Sequence, residues 1–375
     1  MMAARISIMV LPSNPRETPP QILLEQNGVW LNMMPDDQST NAVDIQETKR
    51  DIDAYFTKIM GEVEGAPAHN ADTAALKSPF ATYYRRLVTT KVREALFKAA
   101  ETRVGDDLPE LLIHTDTYLE WIPWEMFHDG KDFLGLRFRV ARLPIMRQVP
   151  DMSAKTIAVQ NVYNLLANNF LDAAQFALWE KTFNGVLGAG QEKKYPPPPP
   201  SVDNILNARN ADILHITCHG GLRDQQEEVY WTLDDRNPQP INYEVRTTFF
   251  DNDILGYDTK PLVFGNACAS TNAGGGTRKN GLLPGYGASF FAKGALNFIG
   301  TFAPITKDLA IEFAQLFYQK LLGTGGKPPL PIAQALWETK NHYRSAAINS
   351  PDPSYLFYCL YGPPDTIFQA APPNV

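Results

Sequence analysis

Asp212-Ile213-Leu214-His215-Ile216-Thr217-Cys218-His219-Gly220-Gly221 and Pro261-Leu262-Val263-Phe264-Gly265-Asn266-Ala267-Cys268-Ala269-Ser270 carry the reading of the fold. Each begins as a short apolar run of strand length and stops at small, turn-forming residues, the pattern of a strand buried on both faces. Working outward, 156–163, 295–300 and 355–361 read as further strands and 229–233 as a hairpin arm. Between them, 174–187, 202–209, 285–293, 306–322 and 332–343 read as helices. In 306–322, Leu309, Phe313, Leu316 and Phe317 make one apolar face, Thr306 takes the N-cap position and Asp308 sits in the first turn. Short apolar strands alternating with helices predict an α/β fold, a mainly parallel sheet with helices on both faces.

The first half is less regular. Segments 5–11, 110–114 and 138–142 read as strands, and 42–61 and 80–102 as helices, with a small polar loop over 61–78. Residues 119–127 form a dense aromatic knot. An α/β N-terminal elaboration over 1–150 is expected, followed by a region 151–375 that holds the chemistry. The polyproline run 195–201 is stiff and is read as a surface loop inside the second region. No repeat recurs at a fixed period.

Composition narrows the function classes. With 44% hydrophobic and 11% aromatic residues, the 375-residue chain is globular. A formal net charge of −7 offers no basic footprint for nucleic acid. The three cysteines, Cys218, Cys268 and Cys359, form no CxxC and no zinc-spaced cluster, so free thiols of a reducing compartment are expected, with no metal and no cofactor. The apolar run from Ile6 to Leu11 ends at Pro12 and is too short for a secretion signal, and no run reaches membrane-spanning length. A cytoplasmic protein without membrane contact is the expectation.

In an open α/β sheet, sites lie at the carboxyl ends of the strands. There the first segment presents His219 and the second Cys268, 49 positions apart. If the two strands are neighbours, an imidazole and a thiol meet at the sheet edge, the pair a cysteine nucleophile needs. A thiol with pKa about 8.5 is mostly protonated at neutral pH, and a histidine beside it serves as base or counter-cation. Gly220 and Gly221 let backbone approach a substrate carbonyl, so the Gly220 and Cys268 N–H groups are candidates for an oxyanion hole. Singly, a strand-end histidine is more often structural and a strand cysteine a small buried hydrophobe. Period two turns Cys218 away from His219 and toward the core, and Cys359 is also read as core. His114, His128 and His215 sit among apolar neighbours and are read as structural. Gly274-Gly275-Gly276 lacks the Lys-Ser/Thr of a phosphate loop.

Thr217-Cys218-His219-Gly220-Gly221 resembles the His-Gly motif of caspase-like peptidases, and Asn266-Ala267-Cys268-Ala269-Ser270 their cysteine box in the version found in the CHAT family. In caspases, too, the histidine lies about 50 residues upstream of the cysteine. The resemblance continues through Gly285-Tyr286-Gly287-Ala288-Ser289-Phe290-Phe291, the helices at 313–322 and 331–336, and the closing stretch 352–363. Ile122-Pro123-Trp124-Glu125-Met126 is similar to a motif from the N-terminal part of CHAT domains. The resemblance covers roughly 110–365 and implies a caspase-haemoglobinase-like fold. It makes 1–150 a pseudo-caspase-like or regulatory region. It also implies a cysteine endopeptidase acting on protein substrates, often in prokaryotic antiviral defence or regulated cell death.

Where relatives carry an acidic residue or glutamine two positions before the cysteine, this chain has Asn266, read as a floor of the substrate pocket. Asn168, in the loop 164–170, and Ser270 are candidate walls. All three are uncharged, so a neutral residue before the cut is expected. Segment 270–281, with its three consecutive glycines, is costly to order and is read as a switch that a protein partner sets. The competing readings are a non-catalytic caspase-like scaffold and a small-molecule hydrolase or nucleotide-binding α/β protein, the latter lacking any Gly-x-Ser-x-Gly elbow and any phosphate loop.

Overall fold

A computed structural model describes residues 5–11, 21–26, 29–32, 47–48, 50–52, 54–55, 73–101, 108–115, 119–145, 156–166, 192–194, 204–205, 208–223, 228–233, 244–246, 256–267, 277–278, 281–282, 285–303, 305–346 and 352–370. The polyproline run 195–201, the helix expected at 174–187, most of that at 42–61 and half of that at 202–209 lie outside them.

The first half contributes β1 (Arg5–Leu11), β2 (Gln21–Gln26), β3 (Val29–Asn32), α1 (Thr73–Leu87), α2 (Thr90–Glu101), β4 (Glu110–Thr115), α3 (Leu134–Arg137) and β5 (Arg139–Pro144). Next come β6 (Thr156–Val159), β7 (Asn161–Leu166), β8 (Glu192–Lys194), β9 (Ile213–Thr217), β10 (His219–Arg223), β11 (Glu228–Thr232) and β12 (Glu244–Arg246). The chain closes with β13 (Leu262–Asn266), β14 (Thr277–Arg278), β15 (Gly281–Leu282), α4 (Tyr286–Ala292), β16 (Asn297–Thr301), α5 (Lys307–Leu322), α6 (Ile332–Ala346), β17 (Tyr358–Tyr361) and β18 (Ile367–Ala370).

One eleven-stranded sheet in the order β3-β2-β1-β4-β5-β17-β16-β13-β9-β7-β8 runs through both halves of the chain. Its centre and one flank are parallel, β16-β13-β9-β7-β8, as are β1-β4-β5-β17, while β17 meets β16 antiparallel. Side chains of β13 alternate between two covered faces, as strand geometry requires. Phe264 packs on Phe317 and Tyr318 of α5, with ring centroids 5.4 and 5.6 Å apart. Gly265, one residue on, faces Trp231 and Phe298, and Trp231 stacks at 4.0 Å on Tyr286 of α4. Helices therefore cover both faces of a mainly parallel sheet, as the alternation of elements predicts.

Several boundaries differ from the sequence expectation for local reasons. The single strand expected at 156–163 is two strands in different sheets. Asp212 accepts the N–H groups of Gln160 and Asn161 at 2.8 and 2.9 Å, and this contact 51 or 52 residues away turns the chain between β6 and β7. The helix expected at 80–102 is α1 and α2. Thr89 accepts the Val92 N–H at 3.5 Å and starts the second, while the first begins earlier and passes through Pro79. Thr306 has N-cap backbone geometry, but its hydroxyl donates to Asp352 at 2.9 Å instead of accepting a helix amide. The start of 355–361 is a 3-10 turn, Pro353–Phe357, capped by Asp352, before β17.

The motif at 122–126 folds as a buried 3-10 turn whose Glu125 carboxylate grips Arg142 of β5. Arg142 Nε and Nη2 donate to it at 3.0 and 2.6 Å, and the remaining guanidinium donors reach the carbonyls of Glu120 (2.8 Å) and Ile122 (2.7 Å). Arg142 pairs with Tyr361 where β5 meets β17, at the seam between the halves.

Candidate functional site

β9 and β13 are adjacent, parallel and in register, with Asn266 opposite Thr217. His219 and Cys268 each follow two residues beyond this last pair. Neighbouring strands run about 4.8 Å apart, so the chain is led toward both reactive positions side by side. After Thr217 the chain passes through Cys218, which is buried, and leaves the large sheet. His219 is exposed and opens β10, the edge of a three-stranded sheet β10-β11-β12. Gly220 is half-buried and pairs with Trp231 of β11. Cys268, Ser270 and Asn168 lie outside the described residues, as does most of 270–281.

What leads into Cys268 is held firmly. Thr301 donates to the carbonyl of Ala267, the residue before the cysteine, at 2.8 Å. Asn266 is buried, its amide nitrogen donating to the Ala310 carbonyl of α5 at 2.9 Å and its oxygen accepting from the Tyr358 hydroxyl at 2.8 Å. Asn266, expected to floor a substrate pocket whose other candidate walls, Asn168 and Ser270, lie outside the described residues, is held here by the core. It shares a strand face with Phe264, so its amide is spent on the core and fixes the strand end. Sequence reasoning missed Thr301, Tyr358, Trp231 and Gly265. Only Gly265 carried a signal, since a glycine inside a buried strand marks a close approach.

The other candidates are structural, as expected. Cys218 and Cys359 are buried and form no disulfide among the described residues. His215 is fully buried between Tyr318 (Nδ1 to hydroxyl 3.1 Å) and Thr217 (Nε2 to hydroxyl 2.7 Å), and burial pushes its pKa down to about 3. Burial also lowers His114 and His128. Among the described residues no group of three or more His, Cys, Asp or Glu is placed to hold a metal, and no helix is long and apolar enough to cross a membrane.

His215 makes stability pH-dependent. The unfolded chain binds its proton near pH 6.5, the folded chain only near 3, so the unfolded state holds more protons in between. Its contribution is complete above about pH 6.5 and falls by up to about 1.4 kcal/mol per pH unit as the pH drops toward 3. Urea midpoints of wild type and His215→Gln, compared from about pH 7 to 4, should show the steeper loss in wild type. Parallel slopes would mean that His215 is protonated in the native state.

An exposed histidine past the end of one central parallel strand, and a cysteine just past its neighbour's, in a sheet covered on both faces, define a caspase-like α/β protein. The CHAT domain profile matches residues 79–358, and the chain belongs to the CHAT-domain family. Among solved structures it is similar to separase in the Saccharomyces cerevisiae separase–securin complex, at 15% identity over 73% of this chain and TM-score 0.44. The match spans only 17% of the separase chain. It is also similar to the Arg-specific cysteine proteinase gingipain R, at 11% identity over 76% of this chain and 70% of that one, with TM-score 0.46. No curated protein sequence matches the chain.

Proposed function

We propose that the chain is a cysteine endopeptidase with His219 and Cys268 as its catalytic pair. The observation that carries this reading is the register of β9 and β13, which leads the chain side by side toward the two residues. His219 takes the thiol proton, and Cys268 Sγ bonds to the peptide carbonyl carbon. The Gly220 and Cys268 N–H groups receive the oxyanion. The C–N bond then breaks, with His219 returning the proton to the leaving amine. Water, deprotonated by His219, attacks the thioester and frees the thiol.

The substrate in this reading is a protein, with a neutral residue before the cut that Asn168 and Ser270 help to accommodate. The enzyme is latent until a protein partner orders 270–281, which directly follows the nucleophile and contains Gly274-Gly275-Gly276. A role in prokaryotic antiviral defence or regulated cell death rests on the family resemblance, and the cytoplasm is the compartment that suits a free nucleophilic thiol.

A thiol-reactive acyloxymethyl ketone probe, mapped by peptide mass spectrometry, tests the dyad. Cys268 should label first, ahead of buried Cys218 and Cys359, and His219→Ala should suppress that labelling. Slow labelling of all three cysteines, indifferent to His219, would identify a non-catalytic scaffold.

A further inference from the structure

Resting on the dyad reading above, one question is what fixes His219 relative to Cys268. Two different sheets lead to them: in sequence Cys268 comes two residues after β13 of the large sheet, while His219 opens β10, which hydrogen-bonds to β11. The chain link between β9 and β10 is the single residue Cys218.

Trp231 is the feature that joins the two. On β11 it pairs with Gly220, next to His219, so its position is tied to the histidine strand by the hairpin register. Its indole is fully buried and lies against Gly265 of β13, three residues before Cys268. A Cβ built on Gly265 would fall 2.8 Å from Trp231 Cη2 and Cζ2 and 3.2 Å from Phe298 Cζ, so the indole occupies the space that only glycine leaves. On its other side the ring stacks on Tyr286 of α4. The indole is wedged between the cysteine strand and a helix, and its backbone carries the histidine strand. We infer that Trp231, seated on Gly265, is the positioning residue that sets the distance between His219 and the Cys268 nucleophile.

The test is the pH dependence of Cys268 alkylation by iodoacetamide, a reagent too small to need a formed substrate cleft. In wild type a His219-dependent limb should lie below the ordinary thiol value of about 8.5, and His219→Ala should remove it. Gly265→Ala pushes the indole, and with it the hairpin, away. The limb should move toward the ordinary value and the rate near pH 6 should fall about tenfold or more. Trp231→Phe in the Gly265→Ala background shortens the ring where the new methyl intrudes, and should return the rate to within about threefold of wild type. Phe costs no hydrogen bond, since Trp231 Nε1 has no partner among the described residues. Gly135→Ala is the control. It sets a Cβ 3.0 Å from Glu125 in the first half, where none of the three nearest atoms belongs to the hairpin, and should lower the melting temperature while leaving the limb unmoved.

Should Gly265→Ala fail to fold, Trp231→Phe alone, which withdraws the contact, should still shift the limb. A folded Gly265→Ala with the wild-type limb, or a double variant that restores nothing, overturns the positioning role while the dyad stands. A wild-type profile identical to that of His219→Ala overturns the dyad, and the positioning role with it.

Discussion

Cys268→Ala is expected to abolish peptide cleavage, and His219→Ala to slow it by a factor on the order of 10² to 10⁴, the range for lost acid–base help. The two effects differ in kind. Alanine at 268 leaves no atom to form the thioester. At 219 it leaves a nucleophile that must ionise unaided and an amine that must depart without a proton, so a residual rate is expected. Neither change should disturb the fold. His219 is exposed, and the approach to Cys268 is held by groups that neither variant touches, the Thr301–Ala267 and Asn266–Ala310 hydrogen bonds. Cys218→Ala and Cys359→Ala should show the reverse, with activity kept and stability reduced by about 1 kcal/mol for a buried side chain trimmed. Turnover is to be measured on peptides selected from a library, and on protein fragments that appear on co-expression with neighbouring gene products. Near-wild-type turnover by either dyad variant would end the peptidase reading.

What the sequence could and could not disclose follows from the range of the interactions involved. β9 and β13 were legible because a continuous apolar run ending in small residues is a local pattern. β10 was not, because His219-Gly220-Gly221 has little strand preference and becomes a strand only by pairing with β11. The break between β6 and β7 depends on Asp212, a residue no window around 160 contains. β2 and β3 gave little local signal because both are short, β2 half polar and β3 only four residues long. At the site, the identities of His219 and Cys268 were visible as types at strand ends. The supports were not. Trp231 meets Gly265, and Thr301 the Ala267 carbonyl, across separations that only the folded sheet closes. The core partners of Asn266 were hidden for the same reason, since strand parity gives it a face and only the packed α5 and Tyr358 show what that face meets.

Glu125→Gln is expected to cost about 3–5 kcal/mol, because it leaves a buried guanidinium without its counter-charge. That is a large share of the roughly 5–15 kcal/mol that holds a typical domain folded. Arg142 and Glu125 have side chains 0% and 2% exposed, so water cannot take over the solvation that the carboxylate provides. Burial, the largest single influence, would lower the Arg142 pKa, but the Glu125 carboxylate together with Tyr361 and Cys359 outweighs it and holds the pKa above the ordinary value. The same carboxylate opposes the burial that brings nearby Lys340 down to about 8. Glutamine removes support from both cations at once. Lys340 also sets a pH signature. Its unfolded pKa is 10.5 and its folded pKa about 8, so stability rises with pH between those values, as the unfolded state holds the extra proton. In Glu125→Gln the folded pKa drops further, and part of the deficit should shrink as the pH passes about 8. Arg142→Met should cost at least as much, since the carbonyls of Glu120 and Ile122 then lose their donors. A Glu125→Met, Arg142→Met double variant should cost less than the sum of its parts, because no lone charge remains. Glu338→Gln, at the partly exposed Lys320–Glu338 pair, is the comparison and should fall within about 1 kcal/mol of wild type. Urea midpoints for the six proteins, the Glu125→Met single variant included to close the cycle, decide the matter: a Glu125→Gln value no lower than that of Glu338→Gln would show that the buried pair holds nothing. The expected loss instead places the grip of the 122–126 turn on β5 at the seam where Arg142 meets Tyr361, between the N-terminal strands and the strands leading to the dyad.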